Sequence, residues 1–309
     1  MPLIVHQDLP AKAALEAENI FTMSDTRAQS QDIRPLKVAI LNLMPTKEVT
    51  ELQFLRMLSN TPLQVNIDLI RTESYESKNA DRGHLRKFYK TFTEIKNNKY
   101  DAMIVTGAPV ERMKYEEVLY WKELKEILDY VRKNVFSALF VCWAAQAALY
   151  HYYGIEKHDA GKKIFGVYEF KTIGKNVLTK GFDDIYYVPQ SRYTYNKGED
   201  LAGIEDLIVW AERPETGVQL ATTRDYRLIF ASGHGEYDSD TLYNEYIRDK
   251  AKGEEITLPS NYFVNDDEGQ GIVVKWRSHA NLFFANWLNY CVYQETPYDI
   301  TQIPGKEIL

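Results

Sequence analysis

The stretch VFSALFVCWAAQAALYHYYGI (135–155) begins as an apolar run, turns at a cysteine and continues as an alanine-rich segment. The first part predicts a buried strand and the second a helix, so Cys142 lies at the turn between them. A residue at such a turn projects above the sheet near the positive end of the helix, which favours a thiolate nucleophile. Buried free cysteines are also common as apolar filler, so this stretch alone leaves both interpretations open.

Strands and helices alternate through the first half of the chain. Apolar runs predict strands at 37–45, 63–70, 100–109 and 135–141, and helical spacing of apolar residues predicts helices at 50–60 and 115–134. Short strands that are apolar on both faces and separated by helices are typical of an α/β fold with a doubly wound, mostly parallel sheet. In such sheets ligands bind beyond the carboxyl ends of the strands.

The second half contains shorter strand patterns, some of them expected to form antiparallel hairpins at one edge. Residues 238–253 predict a helix, and the apolar stretch 278–294 predicts a buried helix. No strand pattern precedes Lys37, and no long Gly/Ser linker interrupts the chain. We therefore expect an N-terminal extension (1–35) followed by a single domain (36–309).

The composition excludes several classes of protein. The chain has 309 residues, 45% hydrophobic and 26% charged, with no apolar run near the roughly 20 residues of a membrane span and no signal-peptide pattern. Two cysteines in unrelated contexts indicate free thiols in a reducing compartment, and we expect a cytoplasmic protein. A net charge of -7 argues against general nucleic-acid binding, and the histidines lack metal-ligand spacing.

A nucleophilic cysteine needs a base, and His234 is the best candidate among the six histidines. It follows the apolar strand pattern RLIFASG, and Glu236 lies two residues further on. A carboxylate beside a histidine orients the imidazole and stabilises the imidazolium. Two strand ends of one parallel sheet can bring His234 to Cys142, although structural His–carboxylate pairs are also frequent.

The other five histidines are weaker candidates. His279 is the main competitor, but no acid lies close to it in sequence, and we expect a structural role at the start of the last helix. The remaining four lie in the N-terminal arm or in polar, surface-like segments: His6, His84, His151 and His158.

An elbow cysteine followed by a distant His-x-Glu resembles the class I glutamine amidotransferases, although the usual elbow glycines are Phe140 and Ala144 here. A closer resemblance extends from residue 33 to residue 300 and identifies the chain as a member of the homoserine O-succinyltransferase/O-acetyltransferase family of methionine biosynthesis. It rests on several segments in order: IRPLKVAILNLMPTKEVTELQFLRMLSNTPLQV, DAMIVTGAPVE, LFVCWAAQAALYHYYGI, PQSRYTY, SGHGEYD and KWRSHANLFFANWLNY.

The resemblance implies an acyl-enzyme mechanism on an amidotransferase-like fold. Cys142 attacks the thioester of an acyl-CoA, His234 then deprotonates the hydroxyl of L-homoserine, and Glu236 positions His234. The backbone N–H of Trp143 is the expected first oxyanion donor, and the second is expected from the LMPT or the TGAP loop. The resemblance further implies a homodimer without a permanently bound cofactor.

Three further residues are implied as substrate contacts, namely Lys163, Ser191 and Arg248, with Arg248 as partner of the homoserine carboxylate. Each also has a simpler interpretation. Lys163 could be a solvated lysine, Ser191 a turn residue, and Arg248 a surface residue paired with Glu245 or Asp249.

The acyl donor is expected to depend on Glu111, with a contribution from Ser191. Family members that use succinyl-CoA resemble this chain through TGAP but have glycine at the position of Glu111. A glutamate in the acyl pocket would repel the free carboxylate of a succinyl group, so we expect acetyl-CoA as donor. If Glu111 instead points to water, succinyl-CoA remains open.

Two functions from other classes stay open beside the acyltransferase. A glutamine amidotransferase would release ammonia from glutamine, but the elbow glycines and a synthetase domain are missing. A binding protein without catalysis would retain its function after Cys142→Ala.

Overall fold

The structure is a computed structural model that describes residues 3–18, 22–23, 34–75 and 81–308. Its centre is a ten-stranded sheet with the order β10-β11-β12-β7-β6-β3-β4-β1-β2, in which β5 also pairs with β4. The strands of this sheet are β1 (Leu3–Ile4), β2 (Thr22–Met23), β3 (Leu36–Leu41), β4 (Val65–Arg71), β5 (Tyr89–Thr91), β6 (Tyr100–Val105), β7 (Val135–Val141), β10 (Leu207–Arg213), β11 (Gly217–Thr223) and β12 (Leu228–Ala231).

Helices follow most of the strands. They are α1 (Pro10–Ala17), α2 (Lys47–Ser59), α3 (Arg82–Phe88), α4 (Phe92–Ile95), α5 (Trp121–Asn134), α6 (Trp143–Tyr153), α7 (Gly198–Leu201), α8 (Thr241–Ala251) and α9 (Arg277–Asn286). Short 3₁₀ turns lie at Tyr115–Glu117, Val264–Asp266, Glu268–Gln270 and Ile300–Gln302.

Both faces of the parallel part of the sheet are buried, as alternating side chains of β7 illustrate. Leu139 and Val141 pack with the apolar residues of α2 and α9, whereas Ala138 and Phe140 pack with those of α5 and α6. Successive residues of a strand point to opposite faces, so a wholly apolar strand requires helices on both sides. The predicted doubly wound α/β fold is confirmed.

Among the described residues, antiparallel strands pair in two places, besides an isolated bridge between Phe263 and Ile272. At one edge, β10 and β11 pair antiparallel with each other, and β11 pairs antiparallel with β12. A separate hairpin, β8 (His158–Phe170) with β9 (Tyr186–Tyr195), lies outside the main sheet. The backbone N–H of His234 donates to Pro189 of this hairpin at 2.8 Å, so the hairpin borders the carboxyl end of β12.

The expectation of no strand before Lys37 was wrong. Strand β1 pairs in parallel with both β2 and β4, with Leu3 opposite Val65. Two-residue strands leave no periodicity in a sequence, and they exist here because β4 offers them an edge. The division into an extension (1–35) and a domain (36–309) remains a prediction.

Other predicted elements also end at different residues in the structure. The predicted helix 278–294 is α-helical only to Asn286 and continues as a π-helical segment, Trp287–Tyr293. Within that segment, the indole Nε1 of Trp287 donates to Ser137. The elements between 81 and 95 were not predicted. Within the described ranges, no helix has both the length and the apolar character needed to cross a membrane.

Candidate active site

Cys142 occupies a strained turn between β7 and α6. Its φ is 55° and its ψ is -119°, a backbone conformation that is costly for a residue with a side chain. The turn is held by hydrogen bonds from the amide of Cys142 to Ala231, 2.8 Å, and from the amide of Ala145 to the carbonyl of Cys142, 3.0 Å. The thiol is buried, with 7% of the residue exposed.

His234 reaches this turn because β12 and β7 are adjacent and parallel. Ala231 pairs with Val141, so the residues after the two strands emerge side by side. Nδ1 of His234 lies 2.7 Å from Oε1 of Glu236, and both side chains are buried. An ionised carboxylate only accepts hydrogen bonds, so Nδ1 carries the proton and the other ring nitrogen is available to the thiol.

The pKa of His234 is governed by opposing effects. Burial lowers the pKa of the imidazole, but the negative charges of Glu236 and of the Cys142 thiolate, and a hydrogen bond with Cys142, raise it well above its ordinary value. The ring is also stacked on Tyr237, with the centroids 4.2 Å apart. The carboxylate of Glu236 therefore favours the protonated form of the His234 imidazole.

Two backbone features suit an oxyanion hole. In the described part of the chain, the Trp143 amide at the start of α6 has no protein acceptor. Gly107, in the loop after β6, lies so close that a Cβ there would stand 3.2 Å from the Cβ of Cys142 and 3.7 Å from Cε1 of His234. This contact favours the TGAP loop over the LMPT loop as the source of the second donor.

The remaining histidines have other partners. His84 was expected in a surface segment, but it is buried, and its Nε2 lies 3.0 Å from Glu51. His279 lies 3.3 Å from Asp183 and edge-on to Phe182, which agrees with the structural role expected for it, although the acid comes from a distant segment. The rings of His151 and His158 bond to Asp129 and Asp200, and Nδ1 of His6 accepts from the amide of Asp8.

The predicted substrate residues Lys163 and Ser191 converge on Glu245 of α8. Ser191 Oγ donates to Glu245 Oε2 at 2.5 Å, Tyr237 donates to Oε1 at 2.9 Å, and Lys163 Nζ lies 3.5 Å from Oε2. Only 9% of the Lys163 side chain is exposed, so it is not a solvated lysine. Tyr237 links this cluster to the ring of His234.

Arg248 lies at the outer side of the same cluster. Its Nε donates to Asp249 at 2.7 Å, while the opposite oxygen of Asp249 accepts from Lys163 at 2.9 Å. More than half of the Arg248 side chain is exposed. The pairing of Arg248 with Asp249 that the sequence suggested is therefore present. The guanidinium faces solvent and borders the cluster.

Glu111 is half-buried in the loop after β6. Burial raises the pKa of its carboxyl, and nearby Lys163 and Lys157 offset this only in part, while Glu245 adds to it. Two of these charges, Lys163 and Glu245, belong to the cluster around Glu245, so the Glu111 carboxyl lies near that cluster.

Sequence reasoning placed Gly107 only within one of two candidate loops, and it did not select Glu245 or Arg192. Gly107 carried a weak signal, because a glycine at a strand's carboxyl end permits close approach, and Glu245 stands three residues before Arg248 on one helix face. Arg192 is fully buried and donates to the carbonyls of Thr194 and Thr216. Burial lowers the pKa of Arg192 to about 10.

A comparison with known protein families identifies the family of this chain. A sequence model described as homoserine O-succinyltransferase matches residues 2–298. The chain belongs to the homoserine O-succinyltransferase family.

Members of this family are similar over nearly their full length. The chain is 53% identical over 304 residues to the homoserine O-acetyltransferase of Clostridium beijerinckii, covering 98% of this chain and 100% of that one. It is 52% identical over 299 residues to homoserine O-acetyltransferase 1 of Ilyobacter polytropus, covering 96% and 99%.

Solved structures show the fold. A glutamine amidotransferase of Thermotoga maritima superposes with a TM-score of 0.52 at 10% identity, covering 83% of this chain and 98% of that one. One from Methylobacillus flagellatus gives a TM-score of 0.51 at 12% identity, covering 83% and 95%. The predicted amidotransferase-like fold is confirmed.

Among the described residues, no group of three or more His, Cys, Asp or Glu side chains could hold a metal ion.

Proposed function

We propose that this protein is a homoserine O-acetyltransferase, which transfers the acetyl group of acetyl-CoA to the hydroxyl of L-homoserine through an acyl-enzyme on Cys142. This reaction is the first step from homoserine toward methionine. The observation that carries the proposal is the buried Cys142–His234–Glu236 arrangement at a strained elbow. The names of the relatives in Clostridium beijerinckii and Ilyobacter polytropus support the same activity.

In the first half-reaction the Cys142 thiolate attacks the carbonyl carbon of the thioester. The negative oxygen of the tetrahedral intermediate is stabilised by the amide of Trp143 and an amide of the loop at Gly107. The bond to coenzyme A breaks, and its thiolate takes the proton of the His234 imidazolium. The products are acetyl-Cys142, free coenzyme A and a neutral imidazole.

In the second half-reaction His234 acts as a base. Acetylation removes the thiolate charge that helps to raise the pKa of His234, so the imidazole holds its proton less tightly once the acetyl group is in place. It accepts the proton of the homoserine hydroxyl, whose oxygen attacks the acetyl carbon. Breaking the C–S bond restores the thiolate, and the imidazolium remains beside it.

The charged cluster around Glu245 suits a zwitterionic amino acid. The exposed guanidinium of Arg248 is the proposed partner of the homoserine carboxylate, and Glu245 is the proposed partner of its ammonium group. Lys163 and Ser191 hold Glu245 in place and border the substrate. The two charge pairs would hold the α-carbon end of the substrate and so orient the hydroxyl at its other end toward the acetyl group.

Acetyl-CoA is favoured over succinyl-CoA because of Glu111. A half-buried carboxylate near the acyl group repels the terminal carboxylate of a succinyl donor, and desolvation strengthens that repulsion. Acetyl-CoA is a co-substrate here, and no permanent cofactor is proposed. The cytoplasmic location and the homodimer remain predictions.

Mass spectrometry after mixing the protein with acetyl-CoA tests the proposal directly. We expect a mass increase of one acetyl group on the peptide that contains Cys142, and its loss when L-homoserine is added. Cys142→Ala should abolish both the adduct and turnover. An active protein without the adduct would contradict the mechanism, and release of ammonia from glutamine would favour an amidotransferase.

A further inference from the structure

A groove outside the triad lies beyond the carboxyl ends of β3, β4 and β6. It encloses about 190 Å³ and is formed by the loop 43–47, by residues 72 and 75, and by the segment 109–120. All three strands are neighbours in the sheet, and β6 adjoins β7, the strand that ends at Cys142. The groove therefore lies on the side of Cys142 that faces away from β12 and His234.

One end of the groove lies close to the active site along the chain. Pro109 and Val110 line it, and they follow Gly107, which packs against Cys142. The floor is held by Lys47, whose amine donates to the carbonyls of Asn42 and Met44 at 2.6 Å and 3.1 Å. A ligand that leaves Cys142 along the loop after β6 would reach this groove.

The outer end is apolar and open to solvent. Leu119 is 77% exposed, Tyr75 is 38% exposed and Met113 is 37% exposed, and all three line the groove. The ring of Tyr75 lies 5.7 Å from that of Tyr120, which also lines it. Exposed apolar side chains gathered at the mouth of a catalytic site mark a binding surface.

The two sides of the site differ in the ligand they suit. The side toward α8 carries the charged residues Lys163, Glu245 and Arg248, which match a small zwitterion. The groove side is mainly apolar, and it matches a long, uncharged chain. The pantetheine arm of an acyl-CoA is such a chain and must bring the thioester to a buried thiol, so the arm and homoserine suit different sides of the site.

We propose that the groove binds the pantetheine arm of the acyl-CoA, with the arm running from Gly107 past Pro109 and Val110 to Leu119. This inference rests on the proposed function, because it assumes a coenzyme A thioester as the acyl donor. It assigns Leu119, Met113 and Tyr75 to donor binding and leaves homoserine on the opposite side.

Leu119→Glu and Met113→Glu test the groove, since both residues are exposed enough for the protein to fold with either change. The rate of Cys142 acetylation is measured by quenched-flow mass spectrometry over a range of acetyl-CoA concentrations. We expect the half-saturating concentration to rise about tenfold in each variant, because a carboxylate would desolvate against an apolar arm. The KM for homoserine should stay within twofold of the original.

A shortened donor and a matched variant sharpen the test. S-acetyl-N-acetylcysteamine carries the thioester but too little of the arm to reach Leu119, so its second-order rate constant should be the same in Leu119→Glu as in the original protein. Ile173→Glu is the control, because Ile173 is an exposed apolar residue, 52%, that does not line the groove. It should leave every constant unchanged.

Unchanged half-saturation by acetyl-CoA in both groove variants would overturn the inference. If sedimentation showed instead that Leu119→Glu separates a dimer while donor binding is retained, the groove would be a contact between copies of the chain, which also overturns it. Failure of the proposed function looks different: the original protein itself would then not be acetylated by acetyl-CoA.

Discussion

Gly107 packs directly against Cys142: a Cβ on Gly107 would stand 3.2 Å from the Cβ of the cysteine, closer than most such contacts. The two residues follow neighbouring parallel strands, β6 and β7, so the sheet itself sets their separation. The absence of a side chain at Gly107 therefore lets the loop after β6 approach the thiol closely.

Gly107→Ala should slow acetylation of Cys142 by roughly tenfold to a hundredfold, because the added methyl group displaces the thiol or His234 from its reactive position. Single-turnover acetylation measures the loss, and thermal unfolding checks that the fold is retained. Gly203→Ala is the matched control, since a Cβ at Gly203 meets nothing within 4 Å. Equal rates in both variants would argue against a crowded contact at Gly107.

In Glu236→Gln, the rate of the second half-reaction should fall off at a lower pH than in the original protein. The carboxylate of Glu236 raises the pKa of His234, and the base is the neutral imidazole, which forms above that pKa. Removing the charge lets burial lower the pKa, so the neutral form extends to lower pH. The maximal rate should still fall about a hundredfold or more, because the imidazole loses its orientation.

The measurement is the rate at which homoserine removes acetyl from pre-acetylated protein, followed across pH. Asp129→Asn provides the control, because Asp129 is an exposed carboxylate whose hydrogen-bond partner is His151 and not a residue of the triad. A fall-off at the same pH in Glu236→Gln as in the original protein would show that another group sets it.

Glu111→Gly should reverse the preference between acyl donors. The original protein is expected to have a higher kcat/KM for acetyl-CoA than for succinyl-CoA, and the glycine variant should gain roughly tenfold or more with succinyl-CoA. Glu111→Gln separates the two causes, because it keeps the volume and removes the charge. A preference for succinyl-CoA in the original protein would refute the assignment.

Glu245→Gln should raise the KM for homoserine about tenfold or more and leave acetylation of Cys142 by acetyl-CoA unchanged. The carboxylate accepts from Ser191 and Tyr237 and lies beside Lys163, so an amide in its place removes the charge that would hold an ammonium group. Steady-state kinetics with each substrate varied in turn makes the comparison. Glu255→Gln, an exposed carboxylate, is the control; an equal effect there would indicate a general change in charge.

Much of the fold could be predicted because apolar runs and their breakers are local. The predicted strand 135–141 coincides with β7, since every residue from Val135 to Val141 is buried or nearly so and a strained turn ends it. The strand patterns predicted at 37–45 and 100–109 extend past the true ends at Leu41 and Val105. Those extra residues belong to loops whose apolar side chains line a groove rather than a sheet.

The residues of the candidate site could likewise be predicted only in part. Cys142, His234 and Glu236 could be selected from sequence, because a nucleophile, a base and an orienting acid follow strand ends, and strand ends of one parallel sheet meet. Glu245 could not, because a glutamate on an amphipathic helix looks like a solvated residue until the packing of α8 against the β8–β9 hairpin turns it inward. His84 was misjudged for the same reason.

By itself, the sequence determined the parallel sheet and the strand-to-helix turn at Cys142, since both depend on neighbouring residues and on a periodicity of two or 3.6. Only the tertiary structure decided which loop touches the thiol, which charges surround Glu111 and Glu245, and where an apolar groove opens. Those properties arise where segments distant in sequence pack together, and burial rather than residue type then sets their charge and their partners.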